Sequence, residues 1–275
     1  MTRAAILQMT SGTDPAANAA TLTEAIEAAR AGGAAMLFTP EMSGLLDRNR
    51  ARAAANIVTE GEDRVLAAVR EAAAKADVWV HLGSLALRRP DGALANRGFV
   101  IDGSGDIRAR YDKLHMFDVD LPGGESWRES SAYRAGERAA AVDTPVGRVG
   151  LSICYDLRFA SLFSALTDAG ADVLAVPAAF TRPTGAAHWE VLLRARAIEN
   201  HAFVIAAAQS GEHEDGRATW GHSLCVDPWG ELLLDMGEGA GLGFAEIDPA
   251  RIAEARSRVP VRAHRRAIPP VEVAA

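Results

Sequence analysis

The stretch VGLSICYDLRFASLFSALTDAGADVLAV, residues 149–176, decides the fold class. Val149–Ile153 is an apolar run that ends at Cys154, and a turn follows at once. Phe159–Ala169 then carries helical spacing, and Val173–Val176 is a second apolar strand. A strand, a helix and a strand within thirty residues call for a layered α/β architecture, in which helices cover sheet faces.

Working outward, the same alternation continues in both directions. Ala4–Met9 reads as the first strand, and Asp14-Pro15 as an N-cap followed by proline in the first helical turn. That helix runs to about Ala31, where Gly32-Gly33 stops it. Ala35–Phe38 is a short strand ending at Thr39-Pro40-Glu41, Gly61–Lys75 a helix, and Val78–Leu82 a strand. Ala86–Arg89, Arg97–Ile101 and Ile107–Tyr111 are joined by the turns Pro90-Asp91-Gly92 and Asp102-Gly103-Ser104-Gly105, so strands here pair with their neighbours. Residues 114–138 lack periodicity but hold Asp118, Asp120, Pro122, Gly123, Gly124, Glu125, Trp127 and Glu129, which suggests an ordered loop at a site. Downstream come a helix at about Ala187–Asn200 and strands at Phe203–Ala207, Ser223–Val226, Glu231–Leu234 and Gly243–Ile247. A last helix, Pro249–Ser257, leads into an extended tail. No internal repeat is visible. The organisation expected is one domain over 1–266, with 267–275 as a tail.

Composition excludes several classes. The chain has 275 residues, 49% hydrophobic and 24% charged, which is incompatible with disorder throughout. A formal charge of −7 speaks against general nucleic-acid binding, which needs a basic stripe. The one dense basic stretch, Arg262 to Arg266, reads as a solvated or interface tail. Two cysteines make no disulfide framework and no structural zinc site. No apolar stretch approaches the roughly 18 residues of a membrane span. The apolar run near Met1 is too short for a signal peptide. A cytoplasmic protein with reduced thiols is expected.

Cys154 is the first candidate for chemistry. A thiol at a strand's carboxyl end, before a turn into a helix, is exposed to attack a substrate, and the following N–H groups can hold an oxyanion. The bland alternative is a small buried hydrophobe. Cys225, mid-strand between Leu224 and Val226, fits that alternative better. Glu41 and Lys113 also stand just past strands; each alone reads as a surface charge, but three strand ends on one edge could bring them to Cys154. A carboxylate can take the thiol proton, and an ammonium can hold a developing alkoxide.

Three segments carry a resemblance. Thr39-Pro40-Glu41-Met42, Tyr111-Asp112-Lys113-Leu114-His115-Met116-Phe117-Asp118 and Ile153-Cys154-Tyr155-Asp156-Leu157-Arg158-Phe159 resemble the catalytic segments of the nitrilase superfamily of carbon–nitrogen hydrolases. Gly185 to Glu190, Trp220 to Ser223 and Asp227 to Gly230 resemble its amidase branch, that of the omega-amidases and deaminated glutathione amidases. Ala208 to His213 and Gly221 to Leu224 are nearer the latter. The resemblance spans residues 4 to about 266.

It implies a four-layer α-β-β-α sandwich whose subunits pair by helix packing into an eight-layer dimer or larger homo-oligomer, and a Glu41-Lys113-Cys154 triad needing no cofactor or metal. It also implies a second glutamate in the loop after the lysine: Glu129 falls at that place, with Glu125 the competitor. The implied reaction is hydrolysis of a primary amide of a small carboxylate-bearing molecule to acid and ammonia, through a thioester. Lys113 and the Tyr155 N–H would hold the oxyanion. Arg158 would reach a substrate carboxylate or pair with Asp156. Phe180, Thr181, His188 and Trp189 would line the acyl pocket, Trp189 being equally suited to the core. Alternatives on the same residues are an N-carbamoyl amidase or an acyltransferase; from another class, a non-catalytic scaffold.

Other motifs fail on context. Gly150-Leu151-Ser152-Ile153-Cys154 lacks the last glycine of a serine elbow and buries Ser152 in a strand. The papain signature is absent around Cys154. His188-Trp189-Glu190 lacks the paired cysteines of a zinc deaminase. Gly237 to Gly243 has the wrong spacing for a dinucleotide loop and reads as a hairpin loop.

Overall fold

The computed structural model describes residues 1–120, 124 and 126–274; Pro122, Gly123 and Glu125 lie outside them. The first half of the chain contributes β1 (Thr2–Gln8), α1 (Pro15–Ala31), β2 (Met36–Phe38), a short α2 (Arg50–Ala54), α3 (Arg64–Ala76), β3 (Trp79–Arg88), β4 (Leu94–Ile101) and β5 (Ile107–Asp112). A small hairpin, β6 (Asp118–Asp120) and β7 (Ser126–Arg128), follows, with a 3₁₀ turn at Glu129–Ser131. The second half contributes β8 (Ala141–Thr144), β9 (Gly147–Leu151), a 3₁₀ turn at Cys154–Arg158, α4 (Ala160–Asp168), β10 (Val173–Ala175), α5 (Arg182–Asn200) and β11 (Phe203–Ala206). It ends with the ribbon β12 (Ser210–Glu212) and β13 (Ala218–Trp220), then β14 (Leu224–Val226), β15 (Leu232–Asp235), β16 (Gly241–Ile247), α6 (Pro249–Arg258) and α7 (Val261–His264).

Two six-stranded sheets result, ordered β16-β1-β2-β3-β4-β5 and β8-β9-β10-β11-β14-β15. Read in those directions, both show the same pairings: antiparallel, parallel, parallel, antiparallel, antiparallel. The chain therefore repeats a topology, although no repeat is legible in its residues.

Strand periodicity sorts the first sheet's side chains between two cores. Ala4 and Ile6 of β1, Met36 and Phe38 of β2 and Val100 of β4 point to the cluster shared with the second sheet. Their neighbours Ala5, Leu7, Leu37, Phe99 and Ile101 join Leu22 and Ile26 of α1 and Val65, Leu66 and Val69 of α3. Both faces of the sheet are thus dry, as expected where helices cross over parallel strands, and each large side chain so buried contributes about 1.5–3 kcal/mol. Helices α4 and α5 cover the second sheet. The order of layers is α-β-β-α.

The local signals behave as their chemistry requires. Asp14 caps α1 by accepting the Ala16 N–H at 2.8 Å, and Pro15 occupies the first turn. Several boundaries differ from the sequence reading. Val78–Leu82 and Ala86–Arg89 belong to one strand, β3, irregular between Leu82 and Leu85. Gly83-Ser84 looks like a break, yet Gly83 serves a close approach: a Cβ there would lie 2.2 Å from the Thr39 carbonyl, 2.4 Å from that of Pro40 and 2.6 Å from Pro177 Cβ. Helix α5 begins at Arg182, not Ala187, because Pro183 fits a first turn and Gly185 is where Trp220 lies against the helix. The glycines from Gly237 make no hairpin: β15 and β16 belong to different sheets, and this segment crosses between them. The basic tail is pinned, since Arg262 and Arg265 reach Asp168 at 3.4 and 2.6 Å. No helix of the described residues is long and apolar enough to cross a membrane.

Candidate active site

The carboxyl ends of parallel strands from both sheets meet where Gly83 lets the backbones close, the place where open α/β sheets form their crevices. Met9, after β1, bridges Gln209, after β11, and Ala178 bridges Ala208. Glu41 follows β2, Lys113 follows β5 and Cys154 follows β9, so the ends of three strands bring the sequence-derived trio to one buried cluster.

Lys113 Nζ lies 2.9 Å from Glu41 Oε1 and 2.9 Å from Glu129 Oε2, with Glu129 Oε1 at 3.1 Å. Glu41 also accepts the Ala179 N–H at 3.0 Å and the Asn96 side-chain amide at 2.8 Å, and its remaining reach is to the Cys154 thiol. Burial pushes the Glu41 carboxyl upward, but the Lys113 charge and the hydrogen bonds from Lys113, Cys154 and Asn96 outweigh it and hold the group below the usual range. Burial acts against the Lys113 ammonium, yet Glu129 and Glu41 raise it well above an ordinary lysine. Burial and the Glu41 charge push the Cys154 thiol well up, with Lys113 opposing. At rest the cluster holds an ionised base, an ammonium and a neutral thiol. A thiol in that state cannot attack until it passes its proton to the carboxylate beside it.

Cys154 has φ +49°, a left-handed conformation that only strong local restraint imposes on a non-glycine residue. Asp156 supplies the restraint. Its fully buried carboxylate accepts the Ile153 N–H at 2.9 Å, the Tyr111 hydroxyl at 2.7 Å and the His115 N–H at 3.0 Å, with His115 Nδ1 at 2.6 Å. These bonds tie the turn carrying Cys154 to the segment carrying Lys113. Cys154 donates its N–H to Pro177 at 2.8 Å and Asp156 its own to Ile153 at 3.0 Å. The Tyr155 N–H between them takes part in neither bond.

Glu129 sits in the 3₁₀ turn after β7 and accepts from Lys113, from Phe117 N–H at 2.7 Å and from Asn96 at 3.2 Å. Glu125, the other candidate, is outside the described residues. Asn96 and Gln209 are site residues the sequence reading missed. Asn96 gives its amide protons to both glutamates, and Gln209 donates to the Glu41 carbonyl at 2.9 Å. Neither lies near its partners in sequence, so no local motif marks them.

A cavity of about 750 Å³ opens over the cluster, lined by Glu41, Lys113, Glu129, Cys154, Tyr155, Arg158, Phe180 and Thr181 among others. His188 is a correction. It lies on the exposed side of α5, outside this cavity, and meets Arg158 at 3.3 Å from without. The buried stripe of α5 runs through Thr184, Gly185, Trp189 and Leu193, and His188 falls off it, exposed. Trp189 is core, 1% exposed, its Nε1–H on the His222 carbonyl. Arg158 does not pair with Asp156, whose oxygens are taken; its guanidinium lies over the rings of Tyr155 and Phe180 at 5.8 and 5.5 Å. Cys225 is buried in β14 with its thiol pushed up to about 12 by burial. Among the described residues no three His, Cys, Asp or Glu side chains converge as metal ligands would.

A family model described as carbon-nitrogen hydrolase matches residues 3–257. The deaminated glutathione amidase of Yersinia enterocolitica is 40% identical over 95% of this chain and 92% of its own length. That of Rattus norvegicus is 40% identical over 95% of this chain and 81% of its own. The crystal structure of the Caenorhabditis elegans NitFhit protein superposes with a TM-score of 0.89 at 40% identity, covering 96% of this chain and 65% of that longer one.

Proposed function

The chain belongs to the carbon–nitrogen hydrolase family and is an amide hydrolase; on that premise we propose that it cleaves its amide through a thioester on Cys154. Glu41 takes the thiol proton as sulfur attacks the carbonyl carbon. The new oxyanion is met by the Lys113 ammonium and the Tyr155 N–H. Glu41 then hands its proton to the departing nitrogen, the C–N bond breaks and the thioester remains. Glu41 next takes a proton from water, the hydroxide adds to the thioester, and the proton returns to sulfur as the acid leaves. Glu129, whose oxygens are already occupied by Lys113, Phe117 and Asn96, positions the ammonium and moves no proton. The observation that carries this reading is the buried cluster itself: a neutral thiol beside an ionised carboxylate that an ammonium holds at 2.9 Å. Each oxyanion donor so placed is typically worth ~10²–10³ in rate.

The substrate we infer is a peptide-like amide bearing carboxylates, deaminated glutathione foremost, as the relatives' names suggest. Cavity size supports this, since about 750 Å³ is far more than a small primary amide fills. Glutathione's amides are peptide linkages, so the leaving group is then an amine rather than the ammonia expected from the sequence. Arg158, beside the nucleophile and without a carboxylate partner among the described residues, is our candidate to grip an acyl-side carboxylate.

The test is a panel of deaminated glutathione, 2-oxoglutaramate, succinamate and an N-carbamoyl amino acid, with released amine and ammonia both measured. Deaminated glutathione should be hydrolysed fastest and Cys154→Ala should be inert. A Cys154→Ala protein as fast as the parent ends the mechanism; faster release from 2-oxoglutaramate ends the substrate claim. We further propose a homodimer in the cytoplasm, where both free thiols stay reduced. Helix α5 leaves Val191 and Ile198 exposed, as pairing by helix packing requires. Light scattering on the purified protein checks it: a monomer at micromolar concentration refutes the dimer.

A further inference from the structure

The cavity is strongly cationic although the protein carries a net charge of −7. Seven of its lining side chains are Arg or Lys and three are acidic among the described residues. The three acids are engaged, Glu41 and Glu129 with Lys113, and Asp47 with Arg52 at 2.6 Å. Arg128 and Arg217 are paired with Asp120 and Asp215, which leaves Arg48, Arg50, Arg88 and Arg158 as the lining cations with no carboxylate within 4 Å among the described residues. A site needing only the catalytic lysine and one substrate carboxylate has no use for such an excess. Clefts lined by one sign of charge concentrate ligands of the other.

The excess is organised. A wall of rings leads away from the nucleophile: Tyr155 meets Phe117 edge-on at 5.2 Å, and Phe117 meets Trp127 at 6.2 Å. At the far end two guanidinium groups flank the Trp127 ring, Arg217 at 5.2 Å and Arg48 at 5.9 Å. Arg217 is held there by Asp215, at 2.8 Å, and the same carboxylate accepts the Arg48 backbone N–H at 2.8 Å. The Arg48 guanidinium has no carboxylate within 4 Å among the described residues. One arginine is therefore fixed as a scaffold, and the other is left with its donors free at the same ring.

We propose that Arg48 and Arg217, on the Trp127 ring, form a distal subsite that binds the terminal carboxylate of the substrate's leaving group. The proposal rests on the amide-hydrolase reading above, which assigns the near end to Arg158. An extended chain covers at most about 3.3–3.6 Å per residue, so the two ring-to-ring steps of 5.2 and 6.2 Å leave room for a leaving group of up to about three residues ending in a carboxylate. Guanidinium takes carboxylate through paired N–H donors, and stacking on Trp127 holds the planes in place at little entropic cost.

The experiment compares two amides with the same acyl part and the same dipeptide-length leaving group. One ends in a carboxylate and the other in an alcohol. The parent protein should prefer the acid by about 30-fold in kcat/KM, mostly through KM, the size of one lost charge-assisted hydrogen bond. The preference should shrink as salt is raised. Arg48→Ala should bring it to about threefold or less. Arg217→Lys, which keeps a cation beside the buried Asp215, should reduce it partway. A parent that treats the two alike, or an Arg48→Ala protein with the parent's full preference, overturns the subsite. If the parent hydrolyses neither amide, the amide reading has failed on its own. Calorimetric binding of the same two compounds to Cys154→Ala, with and without Arg48→Ala, then decides the subsite: equal binding of acid and alcohol overturns it, and an Arg48-dependent preference for the acid upholds it.

Discussion

Replacing Glu129 by glutamine keeps the side chain's shape and removes one of the two charges that hold Lys113. The ammonium lies 2.9 and 3.1 Å from the two Glu129 oxygens, and Phe117 N–H lies 2.7 Å from one of them. Glutamine offers a single oxygen, so its NH₂ faces the ammonium in either orientation, together with the Phe117 N–H in one and the Asn96 amide in the other. One charge-assisted hydrogen bond is lost, about 1.5–3 kcal/mol. With every 1.4 kcal/mol a factor of ten, kcat should fall by about 10²; the loss of a whole oxyanion donor, ~10³, is the upper bound. KM should change little, because Glu129 spends its oxygens on the protein. The pH profile carries a second signature. Burial opposes the Lys113 charge, and Glu129 is the foremost attraction that raises it. Without Glu129 the ammonium loses its proton at lower pH, so the alkaline limb of the rate profile moves down. Steady-state kinetics across the pH range measures both effects. A Glu129→Gln protein with the parent's kcat and an unmoved alkaline limb refutes the positioning role.

Asn96→Ala removes an N–H that holds Glu41 down, so the acidic limb should move to higher pH while the rate at neutrality, where Glu41 stays ionised, changes less, checked in the same titration. Gly83→Ala forces a Cβ to 2.2 Å from the Thr39 carbonyl and should cost more than about 2 kcal/mol, read as a lowered Tm together with lost activity, since the clash displaces Glu41's own segment. His81 is buried in β3, and burial pushes its pKa down to about 3 from 6.5. The unfolded chain therefore takes up a proton that the folded one refuses as pH falls through 6.5, and stability drops with acid through the window from about 6.5 to about 3. Between pH 6.5 and 5 the loss is about 2 kcal/mol; urea unfolding of His81→Gln should show a correspondingly flatter pH dependence.

What the sequence disclosed followed from local chemistry. Asp14 with Pro15 marks a helix start anywhere, and apolar runs ending at Glu41, Lys113 and Cys154 mark strand ends. What it hid depends on partners far along the chain. Asn96 is 55 residues from Glu41, and Gln209 is 168 residues from it. Gly83 looked like a strand break because only the folded form reveals the carbonyls it must admit. His188 and Trp189 are neighbours on α5, about 100° apart around its axis, so only one of them can face inward, and Trp189 takes that place. The shared order of the two sheets left no trace in residue identity, because topology constrains polarity and periodicity rather than side chains.

The central claim is that the sulfur of Cys154 carries the acyl group between two proton transfers by Glu41. Rapid quenching in acid during turnover, followed by intact mass and peptide mapping, tests it most directly. The claim predicts a mass increase equal to the acyl part, located on the peptide containing Cys154 and removed by hydroxylamine. Turnover with no such adduct, or with the adduct on another residue, contradicts it.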